Sequence, residues 1–329
     1  MSGSFIIHHS SFFTPTWAVH ISDGVLTERW WMGGFVVAGL LALFAAWRIR
    51  EDEIPRVALL TAAFFVASLI HVRVGPTSVH LLLNGLVGVV LGRRAALAIP
   101  VGLTLQVALI GHGGFTTIGI NSCIMVLPAL LAWQLFALLH GIPWISKPWF
   151  RASLVGVSAF LWTLSLAFSV VLLCSNRLTE LDTLDPTWAT RITFHPLTLI
   201  AGLLVAVAAA WLEHRLENAP EFPLGLLVGE TAVLATTFLN CLVLMWGGQE
   251  DWHALALVVF VAHLPIVVIE GIVLGFTVGF LAKVKPEMLG WTTARRGGTA
   301  TYRNGTDRIQ AKEARVSSAE RSECGEPHL

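Results

Sequence analysis

Twelve histidines are spread over 329 residues, and their placement is the first chemical signal in the chain. His8, His9, His20, His71, His80, His112, His195 and His253 fall between or beside apolar runs at what an alternating reading makes a single end, and His263 lies about three turns into the last run. His140, His214 and His328 belong to the other end. Neutral imidazole is a frequent ligand for divalent transition metals, so a one-sided set points to a metal site near one face. The plainer reading is of interfacial histidines that only bond headgroups.

Two stretches carry the sharper pattern. In Val74-Gly-Pro-Thr-Ser-Val-His80-Leu-Leu-Leu-Asn84-Gly, Gly75-Pro76 stops one helix and Thr77 or Ser78 can cap the next, which predicts His80 in the first turn of that helix. In Val19-His20-Ile-Ser-Asp23-Gly24, a second imidazole stands just before the first long apolar run. Glu270 sits inside the last run, where an ionisable group is costly and functional by default. His263 is seven residues earlier and so shares its face, which predicts either a His263–Glu270 pair beneath a site or a helix-to-helix contact without a metal role. Glu230 is also placed in an apolar run.

Much other chemistry is excluded. No G-x-x-x-x-G-K-[ST] loop occurs, nor H-E-x-x-H, nor G-x-S-x-G, so the commonest nucleotide, metalloprotease and serine-hydrolase signatures are missing. Four cysteines form no C-x-x-C pair and read as small fillers. The 21 basic and 21 acidic side chains cancel, leaving no excess charge for nucleic acid.

Positioning such residues falls to helices in lipid. A composition 55% hydrophobic and 13% charged, with mean hydropathy +0.72, describes an all-α polytopic membrane protein. Apolar runs predict a bundle of about nine transmembrane helices, at 31–47, 57–72, 79–92, 95–111, 120–141, 152–174, 194–212, 224–246 and 253–281. The third is short and contains Asn84, so it either crosses or re-enters. With the N-terminus outside, the inner loops hold Arg48, Arg50, Arg56, Arg93, Arg94, Lys147, Arg151 and Arg215, against Arg29, Arg73, Arg177 and Arg191 outside. That bias, with the basic C-terminal segment, predicts a cytoplasmic C-terminus. Residues 290–329 read as a disordered cytoplasmic tail. Residues 1–18 read as an extension that is neither signal nor structure.

The chain resembles the CbiM/NikM family, the substrate-binding components of energy-coupling-factor transporters for cobalt and nickel. The matching residues are VHISDG at 19–24, VGPTSVHLLLNGLVGVVLG at 74–92, GHGGFTTIGIN at 111–121, and HLPIVVIEG at 263–271 followed by FLAKVKPEML. The resemblance implies a transmembrane metal-binding domain over 19–289, with 142–223 inserted relative to the compact family pattern. It implies Co(II) or Ni(II) as transported substrate, with no permanently bound cofactor, at a plasma-membrane protein supplying cobalamin biosynthesis. Family members begin Met-His-Ile, and the metal is held by the terminal amine, the second residue's amide and imidazole, and a further histidine of the TSxH stretch. Those positions here are Val19, as a mature N-terminus, His20 and His80. Four nitrogens in a plane suit Ni(II) and low-spin Co(II). The 18 residues ahead of Val19 depart from that pattern, which Val19 as the true start, or cleavage after Ala18, would restore.

Further candidates are Asn121, which could orient a ligand, His71 as an extra ligand, and His263 and Glu270 beneath the site. His112 stands where the family motif leads one to expect Asp, which leaves its role in doubt. The implied partners are a transmembrane coupling subunit, ABC-type ATPase subunits, a small auxiliary membrane subunit and the lipid bilayer. The competing classes are an autonomous cation channel or secondary transporter, and a membrane enzyme using His80, His263 and Glu270 for acid–base work.

Overall fold

In the computed structural model, residues 17–18, 20–74, 77–142, 147–174, 187–216, 221–292 and 301–302 are described. Their long elements are helical: α1 (Glu28–Ala46), α2 (Ile54–Ser68), α3 (Asn84–Leu91), α4 (Ala95–Ile110), α5 (Ile118–His140), α6 (Pro148–Cys174), α7 (Thr187–Thr193), α8 (Pro196–Leu216), α9 (Phe222–Gly247) and α10 (His253–Val284). Apolar residues surround most of these helices, as lipid on one side and protein on the other require. Seven helical stretches among the described residues are long and apolar enough to cross a membrane: Glu28–Ala46, Asn84–Ile110, Ile118–His140, Pro148–Val171, Pro196–Arg215, Phe222–Gly247 and His253–Val284. The protein is an all-α, multi-pass membrane protein.

The stretch Asn84–Ile110 is not one rod. A continuous helix of its 27 residues would part its ends by about 40 Å, yet the His80 and His112 rings that flank it lie 5.1 Å apart. The chain folds back at Gly92, whose φ of 57° and ψ of −131° leave the helical region. A short 3-10 turn over Gly92–Arg94 then starts α4 on the return. The sequence expectation of separate runs at 79–92 and 95–111 therefore corresponds to two limbs of a hairpin. The bounds differ: the helix of the first limb begins at Asn84, because Thr77–His80 is a strand. The run expected at 57–72 likewise shortens to the 15 residues of α2, and His71–Val74 is a strand.

Three short strands build a small platform at the loop end of the bundle. β2 (His71–Val74) and β3 (Thr77–His80) pair antiparallel, with His71 opposite His80, and β1 (Trp17–Ala18) pairs in parallel with Thr77 and Ser78. β-branched Val72, Val74, Thr77 and Val79 favour this extended backbone over a helix. His80 consequently leaves a strand rather than sitting in a first helical turn, which corrects the capping expectation for Thr77 and Ser78.

Close packing fixes the helices beneath that platform. Gly225 and Gly229 of α9 face Gly275 and Gly271 of α10, so tightly that a Cβ at Gly225 would lie 2.7 Å from the Gly275 Cα. Small residues four apart let two membrane helices approach backbone to backbone. The far end is closed by Arg94, buried at 5% exposure, whose guanidinium donates to the carbonyls of Ala45, Trp47 and Arg48 and pairs with Glu53 at 2.8 Å. It thereby satisfies carbonyls that the C-terminus of α1 leaves without helical partners. In the segment expected to be inserted, α6 and α8 are joined by a buried Arg151–Glu213 ion pair at 2.6 Å.

A candidate metal centre at the loop end

Three imidazoles meet where the platform, the segment before α1 and the loop after α4 converge. His20, His80 and His112 offer nitrogen ligand atoms that all lie within 4.8 Å of one another. Their ring centroids are 5.3 Å apart for His20–His80, and 5.1 Å for His20–His112 and for His80–His112. Tetrahedral bonds of about 2.0–2.1 Å bring imidazole nitrogens to about 3.4 Å from one another, so modest ring rotations would close the cluster on one ion. His20 and His80 are buried, at 3% and 2% exposure, and His112 is partly exposed at the mouth.

Each ring is held by its own local device. Gly111, with φ 64°, turns the chain out of α4 so that the His112 N–H reaches back to the Gln106 carbonyl at 3.2 Å. Gly113, with φ 91°, follows, and a Cβ there would come within 3.2 Å of the His20 Cβ. Asn121 of α5 grips Ile21 from both sides: its Oδ1 accepts the Ile21 N–H at 3.0 Å and its Nδ2 donates to the Ile21 carbonyl at 2.9 Å. Thr117 Oγ1 donates to the same carbonyl at 2.5 Å. Asp23 accepts from the Phe115 N–H at 3.0 Å and the Thr116 N–H at 2.8 Å, tying the VHISDG stretch to the GHGGFTT loop. For His80, Nδ1 is 2.8 Å from the Leu81 carbonyl, which can only accept, so Nδ1 carries the proton and Nε2 offers its lone pair.

The electrostatics favour neutral ligands. Burial holds the His20 imidazole well below its ordinary value, and the adjacent His112 and His80 rings add to this while Gln106 opposes it. A histidine whose folded pKa lies below its unfolded value binds fewer protons folded than unfolded. The His20 contribution to stability is therefore constant above about pH 6.5 and declines as pH falls below it. Thermal unfolding of the metal-free protein between pH 8 and pH 5 should show that decline, and His20→Phe should flatten it. A midpoint insensitive to pH in the wild-type chain would contradict a buried neutral His20.

The remaining expected residues have mixed fates. Asn121 bonds the backbone of Ile21, the residue after His20. His71 is the backbone register partner of His80, and its side chain lies outside the described residues, as do Val19 and the acidic segment 180–185. The expected His263–Glu270 pair does not form. His263 Nδ1 instead contacts the Val259 carbonyl one turn back at 2.5 Å, and the Glu270 carboxylate accepts from the backbone N–H groups of Leu82 and Leu83. In a medium of low dielectric, unsatisfied backbone donors next to a carboxylate are stronger partners than a ring two turns away. His112, doubtful from sequence, is the residue that joins the cluster; its one local signal was the run of glycines around it.

Comparison with known proteins places these observations. The chain matches the family described as the cobalt uptake substrate-specific transmembrane region, CbiM, over residues 20–215 and 197–288. A Haemophilus influenzae protein named for metal transport is 42% identical over 118 residues, which are 36% of this chain and 57% of that relative's length. A Halobacterium salinarum protein named for cobalt transport is 31% identical over 164 residues, covering 47% of this chain and 72% of the relative. A Methanocorpusculum labreanum protein with the same designation is 25% identical over 281 residues, covering 82% and 92%. A crystal structure of a transition metal transporter is 20% identical, with TM-score 0.43, over 80% of this chain and 93% of that one.

Proposed function

The chain belongs to the CbiM family of cobalt uptake transmembrane regions, and from that premise we propose that it captures Co(II), or Ni(II), at the outer membrane face through His20, His80 and His112. The observation that carries this reading is the convergence of three imidazoles, from three separate segments, at one end of the bundle. Sidedness is supported by charge. Arg48, Arg50, Arg56, Arg93, Arg94, Lys147, Arg151, Arg215, Lys283 and Lys285 lie toward the end opposite the site, whereas Arg29, Arg73 and Arg191 lie toward the site. Cytoplasmic loops retain positive charge, so the site faces out.

Inward release then needs energy that this chain has no nucleotide loop to obtain. It works with a membrane coupling subunit and ABC-type ATPases, with a small auxiliary subunit in attendance, and the metal it delivers supplies cobalamin synthesis. The three imidazoles form a capture set without a terminal amine. In a form cut to begin at Val19, that amine and the His20 peptide nitrogen would add to it, giving the planar set that suits Ni(II) and low-spin Co(II).

Titrating the purified full chain in lipid nanodiscs with Co(II) tests the reading, because the visible absorption of Co(II) reports both occupancy and geometry. One ion per chain is expected, with an affinity lowered about tenfold or more by His112→Ala. Wild-type protein that binds no Co(II), or binds it equally after His20, His80 and His112 are all replaced, would overturn the proposal.

A further inference from the structure

We infer that Glu270 is a positioning residue for the metal site, acting on His80 through the Leu81–Leu82 peptide bond; this rests on the capture reading above. The two ends of that one peptide unit are both engaged. Its carbonyl, on Leu81, accepts the His80 Nδ1–H at 2.8 Å, and its N–H, on Leu82, donates to Glu270 Oε1. The next N–H, on Leu83, lies 3.1 Å from both Glu270 oxygens. Glu270 and His80 are 4% and 2% exposed, so little water competes for these bonds.

A carboxylate that accepts a peptide N–H draws electron density toward the carbonyl of the same peptide, and chained hydrogen bonds strengthen one another. The Leu81 carbonyl becomes a better acceptor for the His80 Nδ1–H, which fixes the tautomer that exposes Nε2 and makes that nitrogen a stronger donor to a metal. Metal-bound histidines often gain the same effect from a carboxylate bonded directly to the ring. Here a peptide group lies between the two. The arrangement also explains the irregular backbone between β3 and α3, where Leu83 adopts φ 49°. That conformation is uncommon for a non-glycine residue, and it lets consecutive N–H groups converge on one side chain. Because Glu270 belongs to α10, the carboxylate links the ligand to the longest helix of the bundle.

The test uses the full chain in nanodiscs, Co(II) titration and nitrogen-15 NMR of labelled histidine. Glu270→Gln keeps the volume but replaces one acceptor oxygen with an amide donor, and is expected to weaken Co(II) binding about tenfold. In a His80→Ala background the same change should have no further effect, since the residue acts only through that ring. In wild-type protein, independent of any variant's folding, His80 should show a protonated Nδ1 and an unprotonated Nε2. An Nε2-protonated His80, or a folded Glu270→Gln variant with wild-type affinity while His80→Ala is weakened, would overturn the inference and leave the capture reading intact. Unchanged affinity on His80→Ala itself would instead refute the capture reading, and this inference with it.

Discussion

His80→Ala is expected to abolish Co(II) uptake by cells that depend on this chain, and to lower the affinity of the purified protein on the order of 100-fold or more. A supporting residue behind a ligand is already worth 10–100-fold, and this change removes a ligand outright. His80 is the most deeply placed of the three rings at 2% exposure, and its Nε2 orientation is set by the Leu81 carbonyl. Among the described residues, His263 turns its Nδ1 to the Val259 carbonyl, and His71 is the backbone register partner of His80 on the neighbouring strand. The control is His253→Ala. His253 is at the same end of the bundle but two-thirds exposed, and it pairs with Asp251 rather than with the cluster. Uptake should be unaltered by that change. Radioactive Co(II) accumulation with expression matched by immunoblot separates the cases, and retained uptake in the His80 variant would remove the metal centre from the transport path.

What could be read from the residues was what depends on neighbours in sequence. Long apolar runs such as 253–281 must be buried in lipid or protein wherever they fold, so α10 was legible almost to its ends. The 79–92 run was ambiguous because hydropathy cannot separate a strand leaving the loop end from a helix entering lipid; Val79 and His80 extend while Asn84–Leu91 coils. That the two runs around Gly92 double back is a consequence of one glycine conformation, invisible to a window average.

The histidine cluster was legible in part for the same reason. His20 and His80 each sit in a distinctive stretch, whereas His112 joins them only when Gly111 and Gly113 bend its loop over His20. Helical periodicity correctly puts His263 and Glu270 on one face of α10. It says nothing of the neighbouring chain, and the Leu82 and Leu83 amides, arriving from a distant part of the sequence, take the carboxylate instead. Periodicity predicts faces, and only the packed bundle decides partners.

That dependence on packing predicts a second large effect, far from any ligand. A Cβ at Gly88, in the middle of α3, would stand 2.0 Å from the Ala129 carbonyl oxygen and 2.9 Å from the Ala129 Cα. All of the close atoms are backbone of α5, which cannot swing aside as the end of a side chain would. α3 is only 8 residues long, with little length over which to bend, and Gly88 is buried among Val87, Val89 and Val90. Overpacking a core commonly costs about 1–3 kcal/mol, and a backbone clash of this depth should exceed that range. Gly88→Val is therefore expected to abolish a cooperative thermal transition, or to lower its midpoint sharply, and to lose Co(II) binding with all three histidines present, because α3 carries the end of the His80 segment. Gly39→Ala is the matched comparison: nothing lies within 4 Å of a Cβ there, and it should leave stability within about 0.5 kcal/mol or raise it by that amount. If Gly88→Val unfolded like wild type and still bound the metal, α3 and α5 could not be in backbone contact, and the hairpin that brings His80 to His112 would have to be drawn differently.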